Sequence, residues 1–239
     1  MINENETKNF SGWWAILFIF LTFNIAPIPF ALSIGLLGDW VYQNPITVNM
    51  TYMGDINMHP IADNLTTILS MTFIILFVLW RMQKRNIPFS DLGSLDIKKK
   101  DVLFGTLFLA LFIALEELYI WVLGIEMPEG FIEFMLSEPL ILGLISVVII
   151  APIAEEFIFR GFLFSQLQNT RLGPWGAITL SSLLWTVIHF QYEFKILLVL
   201  FVFGLFLGYL RMAYQSLSLP IILHAINNLF AFVMAYFYF

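Results

Sequence analysis

The chain has 239 residues, of which 60% are hydrophobic and 12% are charged, and its mean hydropathy is +0.87. It contains no cysteine, which excludes disulfides, thiol catalysis and cysteine-ligated zinc. A net charge of −6 with no basic cluster beyond one loop argues against a nucleic-acid partner.

Apolar stretches long enough to cross a bilayer recur along the chain, which predicts an all-α, polytopic transmembrane helix bundle. We expect about seven spans, at residues 13–37, 66–80, 102–123, 139–164, 174–190, 194–210 and 219–239. They form one membrane domain without an internal repeat. Residues 1–100 hold the N-terminal spans and a basic loop, and residues 101–239 form the helical core that carries the candidate site.

The basic loop, residues 81–100, predicts the orientation of the chain. It holds six of the eleven Lys and Arg residues, whereas the connecting segments 38–65 and 125–138 hold none. Basic loops stay on the cytoplasmic side, so we expect a multi-pass protein of the cell membrane with a cytoplasmic N-terminus. Lys195 opposes this orientation weakly. Residues 88–96 form either a short surface turn or a plain linker.

Three charged side chains stand together at the end of the fourth predicted span. Glu155, Glu156 and Arg160 follow a purely apolar run, and each ionisable group at membrane depth costs at least about 2.5–3.5 kcal/mol. Glu156 and Arg160 are four residues apart and can pair on one helix face, which leaves Glu155 free. Pro152 predicts a local irregularity. The alternative is a purely structural pair with Glu155 at the lipid headgroups.

Two of the three histidines lie in predicted spans, on different helices. His189 follows Trp185 by four residues, and His224 precedes Asn228 by four, so each pair shares a helix face. His59 lies in a connecting segment and is expected to be solvated. A single membrane histidine can be an interhelical hydrogen-bond donor, but two beside Glu155 indicate chemistry.

The candidate set permits two schemes for hydrolysis. A carboxylate and a histidine can deprotonate water and then protonate a leaving amine, while a second histidine and an amide donate hydrogen bonds to an oxyanion. Alternatively, two histidines and a carboxylate are the ligand set of a hydrolytic zinc site. Neither scheme requires a serine or a cysteine.

Helix geometry raises a difficulty with bringing the two histidines together. At 1.5 Å per residue, His189 lies ~22 Å from the start of its span at Pro174, and His224 lies ~8 Å from the start of its span at Leu219. They can meet only if the turn at residues 211–218 dips into the bilayer or the fifth span begins above the surface.

Three motifs in this order resemble the CPBP family of CAAX prenyl endopeptidases and their bacterial relatives, some of them linked to bacteriocin processing and self-immunity. The motifs are Glu-Glu-x-x-x-Arg at residues 155–160, aromatic-x-x-x-His at 185–189 and His-x-x-x-Asn at 224–228. The resemblance covers roughly residues 100–235. One departure is Trp185, where the family usually has Phe.

The resemblance implies an intramembrane endopeptidase that acts on a membrane-associated protein or peptide, with membrane lipid as its other partner. Glu155 would activate water with the help of His189, and His224 with Asn228 would form the oxyanion site. Glu156, Arg160 and Trp185 would be supporting residues.

The resemblance leaves the cofactor open, because the family is labelled metalloprotease and a metal-free glutamate mechanism is also argued. If a metal is bound, Glu155, His189 and His224 are its ligands. Asn228 is a poor zinc ligand, and Glu156, the remaining base in that case, is paired to Arg160. We therefore expect no tightly bound zinc.

Two other functions remain open. One is a catalytically silent self-immunity or regulatory protein on the same scaffold, and the other is a transporter with a Glu/His proton relay. The sequence shows no paired half-helices of the kind that transporters use. Glu116 and Glu117, in the third span, either line the same cavity or mark an interfacial break. The Phe- and Ile-rich, cysteine-free composition favours a bacterial source.

Overall fold

The structure, a computed structural model, describes residues 16, 25–42, 49–50, 56–57, 60–126, 132, 136 and 139–238. It is a helical bundle with one minimal β-hairpin. The helices are α1 (Pro27–Tyr42), α2 (Pro60–Lys84), α3 (Lys99–Leu123), α4 (Leu140–Leu167), α5 (Gly173–Val187), α6 (Phe194–Tyr214) and α7 (Ser218–Tyr238). The hairpin pairs β1 (Asn49–Met50) with β2 (Ile56–Asn57) in antiparallel register.

The predicted all-α membrane bundle is confirmed. Within the described residues, α2, α3, α4, α6 and α7 are long and apolar enough to cross a bilayer. The predicted loop at 38–65 is too long, because α1 runs to Tyr42 and α2 begins at Pro60, where proline suits the first helical turn. The part of the first predicted span before residue 25 lies almost entirely outside the described residues.

Helix α4 is the central helix of the bundle. Half of its most apolar window is buried, against 6% for α3, so α4 is enclosed by protein and α3 lies at the periphery. Two π-helical segments, Leu144–Ile150 and Phe157–Leu163, flank the α-helical stretch Ala151–Glu156. Such segments are frequent at functional sites. Pro152, where a kink was predicted, lies in the α-helical stretch between them.

Helices α5 and α6 form a close hairpin through glycine contacts. A Cβ atom added to Gly204 would lie 3.0 Å from the Cβ of Ser182, and one added to Gly208 would lie 2.9 Å from a methyl group of Ile178. Small residues at helix crossings let membrane helices approach closely. Adding even a methyl group at Gly204 or Gly208 would therefore push α5 and α6 apart.

The turn between α6 and α7 lies inside the bundle. Ser216 and Leu217 are 5% and 1% exposed, and Leu217 packs against Gly161 of α4. Its backbone is satisfied by the basic loop, because Ser94 N–H donates to Gln215 O and Leu217 N–H donates to Ser94 O, each at 2.9 Å. Non-helical backbone at membrane depth is tolerated where protein covers it in this way.

The basic loop is packed onto the bundle over residues 88–96. A short 3-10 helix, Phe89–Leu92, inserts a fully buried Leu92 into the core. Arg211 of α6 reaches across and donates from Nε to the Leu92 carbonyl at 3.1 Å. Of the two alternatives for this segment, the structure shows the short turn, but Leu92 is buried in the core and the turn does not simply lie on the surface. The segment supports the turn before α7.

Candidate active site

Trp185 lies at the centre of the predicted site residues. Its side chain is 1% exposed, and its ring packs edge-on against His189 and His224, with ring centroids 5.0 and 5.5 Å away. The guanidinium carbon of Arg160 lies 5.0 Å from the centroid of the same ring, a cation–π arrangement. One side chain of α5 therefore contacts charged and titratable groups from α4 and α7.

Glu156 joins Arg160 to His224. Its Oε1 accepts a hydrogen bond from Arg160 Nη1 at 2.9 Å and another from His224 Nδ1 at 2.9 Å. Arg160 also donates from Nη2 to the Gly204 carbonyl of α6 at 3.1 Å. Glu156 and Arg160 are fully buried, so the predicted i, i+4 pair is present and is part of a network that crosses four helices.

Glu155 lies on the other side of the same turn, with its carboxylate in the protein interior at 6% exposure. Trp185 Nε1 donates to its Oε2 at 2.5 Å, and His224 Nε2 lies 3.9 Å from that oxygen. The alternative in which Glu155 faces lipid headgroups is wrong. The structure gives this carboxylate no bond to Arg160.

His189 lies in the turn after α5, beyond the last helical residue Val187, and not inside a helix as predicted. Its Nδ1 lies 2.8 Å from the Trp185 carbonyl. A carbonyl can only accept, so Nδ1 carries a hydrogen, and in a neutral ring Nε2 is then the acceptor. Tyr192 stacks on the ring at 6.2 Å, and burial raises the pKa of Tyr192 to about 12, so its hydroxyl stays neutral.

Asn228 of α7 donates from Nδ2 to the Val147 carbonyl of α4 at 2.9 Å. An amide nitrogen carries two hydrogens, so one N–H remains for another acceptor. The Val147 bond ties α7 to the π-helical segment that precedes Glu155.

A cavity of about 510 Å³ joins these groups. Its walls come from α2, α4, α5, α6, α7 and the turn after α5, and among them are Glu155, Trp185, His189, His224 and Asn228. Glu116 and Glu117 are not in the wall. The prediction that they could line the same cavity is therefore wrong, because they lie on the peripheral helix α3.

The two histidines, which helix geometry alone separated, both contact the ring of Trp185. Two features of the structure accompany this: the partly buried turn before α7 and the short α5. Ser216 and Leu217 are buried in the bundle just before α7, and the ring of His224, in the second turn of α7, lies 5.5 Å from the ring of Trp185. Helix α5 has 15 residues, about 22 Å, so it ends before crossing the roughly 30 Å core of a bilayer. Trp185 then lies between the two histidine rings.

The residues present do not fit a shared metal ion as they are arranged. The hydrogen bonds do not decide this, because His224 Nδ1 is bonded to Glu156 and His189 Nδ1 to a carbonyl, which leaves Nε2 of both rings open as in metal-ligating histidines. The spacing of the side chains is the observation against a shared ion. In the described part of the chain, no group of three His, Cys, Asp or Glu side chains is spaced to hold a metal.

Two features of the site were missed in the sequence. The first is the indole N–H of Trp185 on Glu155, for which the signal was Trp in place of the usual Phe. The second is Asp63 of α2, which lines the cavity although it lies 92 residues before Glu155, and no local pattern links the two. Asn64 accepts a hydrogen bond from the Ser146 hydroxyl of α4, which positions this part of α2.

Comparisons with known proteins agree with the three motifs. Residues 137–230 match the family described as type II CAAX prenyl endopeptidase Rce1-like, and this stretch contains every catalytic residue predicted above. A relative from Escherichia coli, an uncharacterised 24.3 kDa protein, is 34% identical over 86 residues, which are 35% of this chain and 40% of that protein. No solved structure matches the chain significantly.

Proposed function

We propose that the chain is an intramembrane endopeptidase, because residues 137–230 match the Rce1-like family model, consistent with the CPBP family. Its reaction is hydrolysis of a peptide bond in a membrane-associated protein or peptide. The observation that carries the proposal is the carboxylate of Glu155, which lies buried on the cavity wall with an indole N–H on one oxygen and an imidazole nitrogen 3.9 Å away.

The first step is the activation of water by Glu155. A separation of 3.9 Å between Glu155 Oε2 and His224 Nε2 is too long for a direct hydrogen bond but suits a water that contacts both groups. Glu155 takes a proton from this water as its oxygen attacks the scissile carbonyl carbon. His189, with Nε2 as an acceptor on the cavity wall, helps to orient the water.

The second step is the stabilisation and collapse of the tetrahedral intermediate. His224, when Nε2 carries a hydrogen, and the remaining N–H of Asn228 donate to the oxyanion. The proton held by Glu155 passes to the amide nitrogen as the carbon–nitrogen bond breaks. One water is consumed, and one new carboxyl group and one new amine are released.

The buried pair behind the cavity supports these steps. Glu156 holds His224 through Nδ1, which fixes the ring with Nε2 towards Glu155, in the way that a third group orients a catalytic histidine. Arg160 balances the charge of Glu156 and is itself held by the Gly204 carbonyl and the Trp185 ring. These residues position the reacting groups and do not touch the substrate.

The test is a comparison of membrane peptides from cells that express the wild-type protein and cells that express Glu155→Ala. New N-termini should appear with the wild type and vanish with the variant. Glu117→Ala is the matched control, since Glu117 is also a membrane carboxylate but lies outside the cavity wall, and its peptides should match the wild type. Identical termini in all three samples would rule out the proposal.

A further inference from the structure

The cavity wall carries a second carboxylate, which the hydrolytic mechanism does not use. Asp63 lies in the first turn of α2 and faces the same cavity as Glu155. Among the described residues that line the cavity, none is Lys or Arg. The cavity therefore presents two carboxylates to whatever enters it, with only histidines as groups that can become cationic.

Asp63 is half-buried, and within the described part of the chain its carboxylate has neither a hydrogen bond nor an ion pair. The connecting segments 38–65 and 125–138 contain seven Asp and Glu residues and no Lys or Arg. The exposed Lys195, at the start of α6, does not line the cavity.

The cavity reaches the surface at the turn after α5, because the exposed Gln191 in this turn also lines it. Carboxylates that surround a cleft focus the electrostatic potential and attract cations. A substrate that enters by this opening therefore meets both Asp63 and Glu155 on the cavity wall.

The distance between Asp63 and the reacting groups follows from helix geometry. Asn64 is bonded to Ser146, and Ser146 precedes Glu155 by nine residues on the same helix. At 1.5 Å per residue, less in the π-helical part, this gives roughly 12 Å along α4. An extended peptide covers that length with about four residues.

We infer that Asp63 binds a cationic group of the substrate, a Lys or Arg side chain or a free α-amino group, about four residues from the bond that is cut. The inference rests on the proposed function and adds the chemistry of the substrate to it. Asp63 selects and positions the substrate and takes no part in the proton transfers at Glu155.

A purely structural role for Asp63 predicts a different result. An acidic residue in the first turn of a helix stabilises the helix through its dipole, and Asp101 occupies the equivalent place in α3 without lining the cavity. Asp101→Asn is therefore the matched control for Asp63→Asn. If only the helix dipole matters, the two variants lose stability alike and neither changes ligand preference.

The binding experiment uses Glu155→Gln protein in nanodiscs, so that no probe is cut. The probes are fluorescent apolar decapeptides that differ at one position, with lysine, uncharged norleucine or glutamate, and anisotropy gives each Kd. The lysine peptide should bind about 3- to 10-fold more tightly than the norleucine peptide. That preference should disappear when Asp63→Asn is added, remain with Asp101→Asn and fall with salt.

The same probes, given to the active protein, separate this inference from the proposed function. Cuts should fall about four residues from the lysine. Equal binding of lysine and norleucine peptides, or a lysine preference that survives Asp63→Asn, would overturn the inference while leaving the protease intact. A lysine preference that depends on Asp63, without any cleavage, would support the cation site and count against the proposed function.

Discussion

At the scale of single residues, helix periodicity predicted the contact within one helix but not the contacts between helices. Glu156 and Arg160 pair because positions four apart share a face in any helix. The bond from Trp185 to Glu155 joins α5 to α4, and it depends on how deep each helix starts and how far it is rotated. The spacing of residues along the chain gives neither the depth nor the rotation of a helix.

Trp185→Phe separates the hydrogen bond from the packing at Glu155. Phenylalanine keeps an aromatic ring beside His189, His224 and Arg160 but has no N–H to hold the carboxylate. A hydrogen bond to a charged group contributes about 1.5–3 kcal/mol, so kcat should fall at least about 10-fold while KM changes little. The control is Trp175→Phe, at an exposed ring that stacks on Tyr209. Unchanged kcat in Trp185→Phe would contradict the positioning role.

Substitutions in the buried pair should act on stability. Glu156→Gln leaves the Arg160 guanidinium without its carboxylate, and Arg160→Met leaves Glu156 without its cation; breaking one partner of a buried pair costs about 3–5 kcal/mol. Both variants should unfold at lower temperature than the wild type, whereas Glu155→Gln should fold normally and be inactive. Thermal unfolding in detergent and turnover, measured on the same variants, check whether Glu156 and Arg160 act on stability while Glu155 acts on catalysis. All three variants losing activity at wild-type stability would refute this division.

At the scale of helices, the sequence predicted most of the helices. It did not predict how far inside the bundle each helix begins. Hydropathy identifies apolar runs, but polar residues at the ends of helices resemble loop residues. The predicted loop at 38–65 therefore included the end of α1 and the start of α2. Hydropathy also could not show that Ser216 and Leu217 in the turn before α7 are buried. That burial depends on hydrogen bonds to Ser94, more than 120 residues earlier in the chain.

Gly204→Leu tests the close packing of α5 and α6. A Cβ atom at Gly204 would lie 3.0 Å from Ser182 and 3.1 Å from Arg160 Nη2, so a leucine must push the helices apart and disturb the buried pair. Overpacking of this kind costs about 1–3 kcal/mol, and we expect a lower unfolding temperature together with lost activity. Val202→Leu adds volume to the same helix at an exposed position and should change neither. Normal activity of Gly204→Leu would show that the crossing is looser than described.

At the scale of the whole molecule, the orientation in the membrane is a prediction from charge alone. The basic loop should be cytoplasmic, and the acidic segments 38–65 and 125–138 should be external, which would open the cavity to the outside at the turn after α5. Reporter fusions after residue 90 should read cytoplasmic, and fusions after residue 130 external. The reverse pattern would place the mouth of the cavity in the cytoplasm.

The most direct test of the central claim measures hydrolysis by purified protein in nanodiscs, on peptides whose cut sites come from the membrane comparison. We expect cleavage by the wild-type protein and by Glu117→Gln. Glu155→Gln, with the same unfolding temperature, should show no detectable product. Cleavage by Glu155→Gln at the wild-type rate would contradict the assignment of Glu155 as the base that activates water.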